Sequence, residues 1–427
     1  MCNCYIVSSL DSSRFHEERV RGNLGFIHLR KGAMTMSNKQ KIKVGILGGG
    51  GILGAHMIGF LKVADHCELA AIAEANPARD SEIRRMLGSE VRIVRDYQEV
   101  LAVPEIKGVD ILLPHHLHLP ATVAAAQAGK HVLVEKVMGR NVWECDRMIA
   151  ACEKAGVTLT VCHDRRYHGE WQALKEIVDS GVLGDIFFWK LDHNQDVVLP
   201  SSSWAHWKDG LGGGCIMSCL THQIDGLRWY AGEIDSLTCM TCERPERMQG
   251  EFLGVLTAKL KSGALAELSI NWWTKSNRGE NRLWYEMVQV CGTKGEAYRM
   301  DGRGTFIRLH DPTNRAAEAK YGPAAFKGFV KVNCGSWGGH ERCIAEWVKL
   351  LHGEPAAITT SGRECRGTVE VAEAAYRSAA ENRTIKLPIE PRPWVTCGMP
   401  ENLRGIAADR SVSYHVDVGA KAQGQLK

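Results

Sequence analysis

Lys43-Val44-Gly45-Ile46-Leu47-Gly48-Gly49-Gly50-Gly51-Ile52-Leu53-Gly54-Ala55-His56 is the stretch that decides the fold of this chain. A strand-like run from Lys43 to Leu47 enters four consecutive glycines, and a helix-like run from Ile52 to Val63 follows. A second strand-like run, Leu69 to Ala73, closes on Glu74. Strand, glycine turn, helix, strand and acid, in that order, form the footprint of a dinucleotide site. Glycines let the backbone approach a pyrophosphate, while the free N–H groups and positive dipole end of a helix N-terminus attract it. The acid can accept from both ribose hydroxyls and repels a 2′-phosphate, so the expected cofactor is NAD, with NADP disfavoured. Two registers fit the glycines, Gly48-x-Gly50-x-x-Leu53 and Gly49-x-Gly51-x-x-Gly54, and the spacing leaves both open.

From Lys41 onward the pattern alternates. Strand candidates at 43–47, 69–73, 91–94, 109–113, 131–135 and 157–161 are separated by helix candidates at 52–64, 77–87, 97–102, 120–128 and 141–155. Helices between short apolar strands call for a parallel sheet covered on both faces. After about residue 161 the style changes. A helix at 170–179 and a strand at 185–191 lead to glycine-rich 210–214 and a helix near 215–230. Strand-like runs follow at 236–242, 252–260, 264–272, 284–291 and 296–299. Gly263 and the Gly292 to Gly295 stretch mark hairpin turns between them, which predicts an antiparallel sheet. Helices near 340–352 and 363–380 close the fold. The expected organisation is a flexible extension (1–40), a Rossmann domain (41–161), an α+β substrate and oligomerisation domain (162–390) and a C-terminal tail (391–427). The fold class is thus α/β plus α+β.

Bulk properties narrow the function. The chain has 427 residues, 44% hydrophobic and 24% charged, with a formal net charge of +4, which gives no concentrated basic character for nucleic acid. No apolar run approaches the roughly 18 residues of a membrane span. The N-terminus, with Asp11, Arg14, Glu17 and Glu18, lacks the apolar core of a secretory signal. Fifteen cysteines show no framework spacing, and the lone Cys239-x-x-Cys242 pair lies in a strand-like run. Reduced thiols in a cytoplasmic protein are expected.

Three constellations could carry chemistry. Leu113-Pro114-His115-His116-Leu117-His118 ends the fourth strand, where an open parallel sheet binds its ligands. Pro114, His115 and His118 are expected to line the cofactor; no carboxylate or cysteine accompanies the histidines, so no metal is assigned. Glu135-Lys136 ends the fifth strand, and a lysine there can donate to a substrate hydroxyl or carbonyl. Ser218, His222, Asp225 and Trp229 share one face of the helix opened by Gly212-Gly213-Gly214. A polar stripe on a buried helix either faces a wet cleft or is internally satisfied, since each unpaired buried group costs about 1–3 kcal/mol. His222 can accept a hydroxyl proton near neutral pH. Trp204, Trp207, Trp229, Trp272 and Trp273 fit sugar rings or, more commonly, core packing.

Taken together these residues resemble the glucose–fructose oxidoreductase, inositol dehydrogenase and rhizopine-catabolism (Gfo/Idh/MocA) family, over about 43–388. The likeness runs through Ala55-His56, Ala128-Gly129-Lys130-His131-Val132-Leu133-Val134-Glu135-Lys136 and Arg165-Arg166-Tyr167. It continues through Gly181-Val182-Leu183-Gly184-Asp185-Ile186, Gly212-Gly213-Gly214 with His222 and Asp225, Gly292-Thr293-Lys294-Gly295, Ala374-Ala375-Tyr376 and Leu387-Pro388. The resemblance implies bound NAD or NADP, an alcohol-to-ketone reaction on a sugar, glycoside or cyclitol, and a dimer or tetramer. It implies cofactor contacts from Gly48, Gly50, Gly51, Ile52, Leu53, Glu74, Pro114, His115, His118, Glu135 and Lys136. Lys136 and His222 match the family's active-site lysine and catalytic histidine, and Arg166 and Ser218 stand with His222 as substrate contacts. Three positions depart: Val137 where proline is usual, Ser218 where aspartate is usual, and His115 where asparagine is common. A serine cannot carry charge, so a proton relay through 218 is not available in the usual form. Two other functions share this frame: an NAD-dependent glycosidase or lyase that oxidises its sugar transiently, and a non-catalytic sugar or dinucleotide sensor.

Overall fold

The computed structural model describes residues 40–274, 285–336 and 338–404; the extension expected at 1–40 lies almost wholly outside the described residues. Six strands, β1 (Ile42–Leu47), β2 (Cys67–Ala73), β3 (Arg92–Val94), β4 (Ile106–Ile111), β5 (His131–Glu135) and β6 (Leu159–Cys162), form one parallel sheet in the order β3-β2-β1-β4-β5-β6. Between them run α1 (Leu53–Lys62), α2 (Asp80–Leu87), α3 (Tyr97–Leu101), α4 (His115–Gln127) and α5 (Val142–Ala155). The order reverses between β1 and β4, which puts a crevice beyond the carboxyl ends of these strands. Val44, Ile46, Ile72, Val109, Ile111, Leu133 and Val134 have no exposure, as strands covered on both faces require.

After α6 (Gly169–Asp179) the second sheet begins with β7 (Ile186–Asn194). It continues through β8 (Ile234–Glu243), β9 (Glu251–Leu260), β10 (Leu265–Asn271), β11 (Glu286–Gly292), β12 (Gly295–Met300), β13 (Gly304–Leu309), β14 (Val330–Val332) and β15 (Ile385–Lys386). These nine strands are antiparallel except for the β7–β10 pair. Both expected hairpins form: Lys259 pairs with Leu265 around Gly263, and Gly292 pairs with Gly295. Strands β13 to β15 were not foreseen; they are two to six residues long, and β15 pairs with β8, which lies far back along the chain. One face of the sheet covers α7 (Thr221–Ala231) and its tryptophan–tyrosine stack, where Trp171 and Trp189 lie parallel to Tyr230.

Two late helices join the halves. From α8 (Gly339–Leu351), Ile344 and Trp347 enter the core of the first sheet beside Met57 and Phe60. From α9 (Gly362–Glu381), buried Val369, Ala372 and Ala375 join the larger core. All 13 described cysteines are free thiols. No helix among the described residues is long and apolar enough to cross a membrane.

Candidate active site

The glycine turn resolves its own register. Gly48 leaves β1 with φ of +103°, and a Cβ there would fall 2.6 Å from the Leu112 carbonyl oxygen. Only glycine can turn the chain under that strand. In this register the third position is Leu53, and no crowding results: Leu53 is fully buried and fills the space between α1 and the sheet. Ile52, at the helix N-cap, supplies no side-chain cap, although Leu53 N already donates to Gly50 O at 3.1 Å and Ala55 N to Ile52 O at 3.0 Å, so no side chain covers the start of α1. Glu74 is 9% exposed; its carboxylate accepts from Gly49 N at 2.8 Å and from Asn76 N at 2.7 Å. Each oxygen retains lone-pair capacity for a ribose hydroxyl. An uncapped helix start beside a fixed acid fits a dinucleotide.

The segment 113–118 differs from the expected loop. Pro114 is itself the N-cap of α4, so His115, His116 and His118 belong to the first turn of a helix. Pro120, expected near the helix start, sits inside it. His118 is fully buried, with Nδ1 2.8 Å from the Val137 oxygen and Nε2 2.8 Å from the Leu113 oxygen. Both nitrogens are engaged by the backbone, so His118 ties two strand-end loops together. His115 donates from Nδ1 to the Leu211 oxygen at 3.0 Å and packs edge-on against Trp204. Burial, with His118 and Lys136 nearby, holds His115 well below the usual imidazole range.

Glu135 also takes a different part from the cofactor contact expected. Its Oε1 accepts from His56 Nε2 at 2.9 Å, and Oε2 accepts from Lys136 N at 3.1 Å. His56 in turn donates from Nδ1 to Asp110 Oδ2 at 2.7 Å. Burial opposes charge on His56, yet the Asp110 carboxylate outweighs it and raises the imidazole well above its ordinary value. A cationic His56 bridging two carboxylates therefore pins α1 to the ends of β4 and β5. Glu135 fixes the strand end from which Lys136 emerges; the Lys136–Val137 peptide that follows is cis.

Lys136 Nζ donates to the Ser218 carbonyl oxygen at 3.0 Å. Ser218 lies in a single wide turn, Ile216–Leu220, of π-helical form that precedes α7. Such turns recur at functional sites because they re-aim the backbone locally. Its start is held from outside: Glu251 accepts from Ile216 N at 2.9 Å, and the Tyr376 hydroxyl accepts from Gly214 N and Met217 N. One turn later His222 is 2% exposed, and neither of its ring nitrogens makes a hydrogen bond among the described residues. Burial, reinforced by Arg165, Lys136, His163 and His193, keeps its pKa well below the usual value, so the ring is neutral at pH 7. Lys136 and His222 thus meet where the two domains join.

Arg166 turns inward. It is 2% exposed and forms a bidentate pair with Asp225, both contacts at 2.7 Å, while donating to the Thr359 oxygen at 2.9 Å. With its fork engaged by these partners it braces the interior of the fold. Burial raises the Asp225 carboxyl, but Arg166 overrides this and brings it down to about 2. The polar face of α7 therefore divides: Asp225 is satisfied internally, and His222 is left open. Sequence reasoning missed Asp164, whose Oδ1 lies 3.7 Å from His222 Nδ1. It sits just beyond the carboxyl end of β6, the same sheet edge that carries Lys136, and that placement was its available signal.

Comparison with known proteins follows the same division. Residues 42–163 match the oxidoreductase family with an NAD-binding Rossmann fold, and residues 171–298 match the GFO/IDH/MocA C-terminal domain; together these span more than half of the chain. Levoglucosan dehydrogenase of Pseudarthrobacter phenanthrenivorans is 30% identical over 225 residues, 49% of this chain and 57% of that protein. Myo-inositol 2-dehydrogenase of Thermotoga maritima is 25% identical over 351 residues, 81% of this chain and 98% of that protein. Among solved structures, an aldose–aldose oxidoreductase from Caulobacter crescentus complexed with glycerol superposes with a TM-score of 0.69. It is 24% identical, covers 82% of this chain and 100% of its own, and supports the fold alone.

Proposed function

Given that this chain belongs to the Gfo/Idh/MocA oxidoreductase family, we propose that it is an NAD-dependent dehydrogenase of a sugar, glycoside or cyclitol that oxidises a secondary hydroxyl. The observation that carries the reading is the meeting of Lys136 with the turn that presents His222, a neutral imidazole with no hydrogen bond among the described residues. Bound NAD supplies the hydride acceptor. His222 takes the hydroxyl proton as the carbon–hydrogen bond breaks, and its low basicity is offset by a short transfer in a dry site. Lys136 orients the same oxygen and stabilises the charge that develops on it. Ser218 is the candidate contact for a neighbouring hydroxyl. The cradle of Gly48, Gly50, Gly51, Ile52 and Leu53, with Glu74 on the ribose and Pro114 and His115 at the nicotinamide end, holds the cofactor.

The substrate class is supported by relatives named for levoglucosan, myo-inositol and D-apiose. Self-association through the open face of the large sheet is supported by exposed Met240, Val255 and Leu265. The test is a panel of sugars, glycosides and inositols with NAD, read at the NADH absorbance band. NADH formation with at least one of them is the expected result, and none with any would overturn the reading. In the same assay Glu74→Ala should weaken NAD binding by about 1–3 kcal/mol and leave NADP less disfavoured.

A further inference from the structure

We propose that Asp164 is the positioning residue for His222, supplying from the β6 end of the Rossmann sheet the carboxylate that position 218 lacks. The inference rests on the reading of His222 as the base. Among the described residues, Asp164 is the carboxylate within ion-pair reach of His222, its Oδ1 3.7 Å from Nδ1. The other groups pressing on the ring, Arg165, Lys136, His163 and His193, are cationic or can become so, and each disfavours charge on it. Asp164 is 3% exposed and is itself aimed: Arg165 donates to its Oδ2 at 2.5 Å, and Glu286 grips the other side of that guanidinium at 2.8–3.1 Å. A carboxylate so anchored has one oxygen left to face the imidazole. Closing the gap by about an ångström makes a hydrogen bond, as ligand-free catalytic sites commonly require.

A hydrogen bond formed by Nδ1 across this 3.7 Å gap would select one tautomer of His222. With Nδ1–H directed at Asp164, Nε2 carries the lone pair and faces the substrate hydroxyl. When that hydroxyl proton moves to Nε2 and the same carbon gives up a hydride, which NAD would accept, one proton must depart. Asp164 Oδ2 lies 3.5 Å from His340 Nδ1, and both residues border a cavity of about 80 Å3 beside α1 and α8. Once the His222–Asp164 gap has closed, the Nδ1 proton is released toward water in that cavity. Each turnover then releases one proton on the side away from the substrate, and charge balances.

The experiment compares Asp164→Asn and Asp164→Glu with the unaltered protein. Asp164→Asn should lower kcat by about 10²-fold with little change in sugar KM or NAD affinity. Removing the carboxylate removes what favours the imidazolium, so the acid limb of the kcat/KM profile should move to lower pH. Asp164→Glu should recover part of the rate. Nitrogen-15 NMR of His222 should show Nδ1–H in the unaltered protein and a mixed population in Asp164→Leu. An unchanged kcat, or a loss of rate with the acid limb unmoved, overturns the proposal. If the unaltered protein oxidises no sugar, the dehydrogenase reading fails by itself, and the NMR arm still decides: the same tautomer in both proteins removes Asp164 from its role.

Discussion

Glu74 and His222 are both buried polar residues at the proposed cofactor and substrate positions, yet the chain satisfies one and leaves the other open. Glu74 holds two backbone amides, Asn76 two residues on and Gly49 25 residues back, both within the one strand–turn–helix–strand unit. Among the described residues His222 holds none, and its neighbours come from the end of β5, the turn after β6, and β7. The cofactor end is built from one contiguous motif whose groups are pre-set before any ligand arrives. The substrate end is assembled from distant segments and keeps a vacancy in its hydrogen bonding. Leaving a buried group unpaired costs about 1–3 kcal/mol, so the contrast separates residues that hold the scaffold from residues kept for a ligand.

The sharpest break in that contrast comes from His222→Asn. It should lower kcat by about 10²–10⁴-fold while NAD affinity, measured by fluorescence titration, stays within twofold or so; equal losses in both would erase the division between the two ends. Arg166→Met tests the opposite kind of residue. It strands Asp225 in the interior and should cost about 3–5 kcal/mol in urea unfolding, whereas a stable but inactive protein would return Arg166 to the substrate site. The sign with pH follows from Asp225 at about 2 when folded against an ordinary value of 3.8. Its contribution is complete above about pH 4 and is lost as pH falls toward 2, and Arg166→Met should abolish that acid dependence.

The smallest effect concerns Glu251, which burial raises to about 7 against its hydrogen bonds from Ile216 N and Tyr376. The folded protein keeps this proton up to about pH 7, while the unfolded chain releases it near 4.5. Stability should therefore fall as pH rises from 4.5 to 7 and level off beyond. Glu251→Gln should flatten that slope in a melting series; an identical slope would show that the group titrates normally.

Much of this was legible in advance where structure is local. Every strand of the first sheet was foreseen within three residues or so, because apolar runs and glycine or proline punctuation act over a few positions. The start of α4 was not, since Pro114 and Pro120 compete as helix starters and only packing of His115 and His118 under the loops selects the earlier one. Lys136 and His222 could be paired through family likeness. The satisfied state of Arg166 could not, because its partner Asp225 is 59 residues away and a guanidinium carries no mark of what it will bind. Asp164 was missed for the same reason: its relation to His222 exists only after two domains have docked.

Asp209 gives the end of the chain an unexpected importance. This buried carboxylate in the short turn Lys208–Leu211 accepts from Trp394 Nε1 at 2.9 Å, Cys397 N at 2.7 Å and Met399 N at 2.9 Å. The same turn supplies the Leu211 oxygen that His115 binds. Residues 393–399 thus act as a buckle: a chain cut before Pro393 would forfeit all three donors at once, open Asp209 to water and loosen the turn that holds His115 at the junction between the two halves.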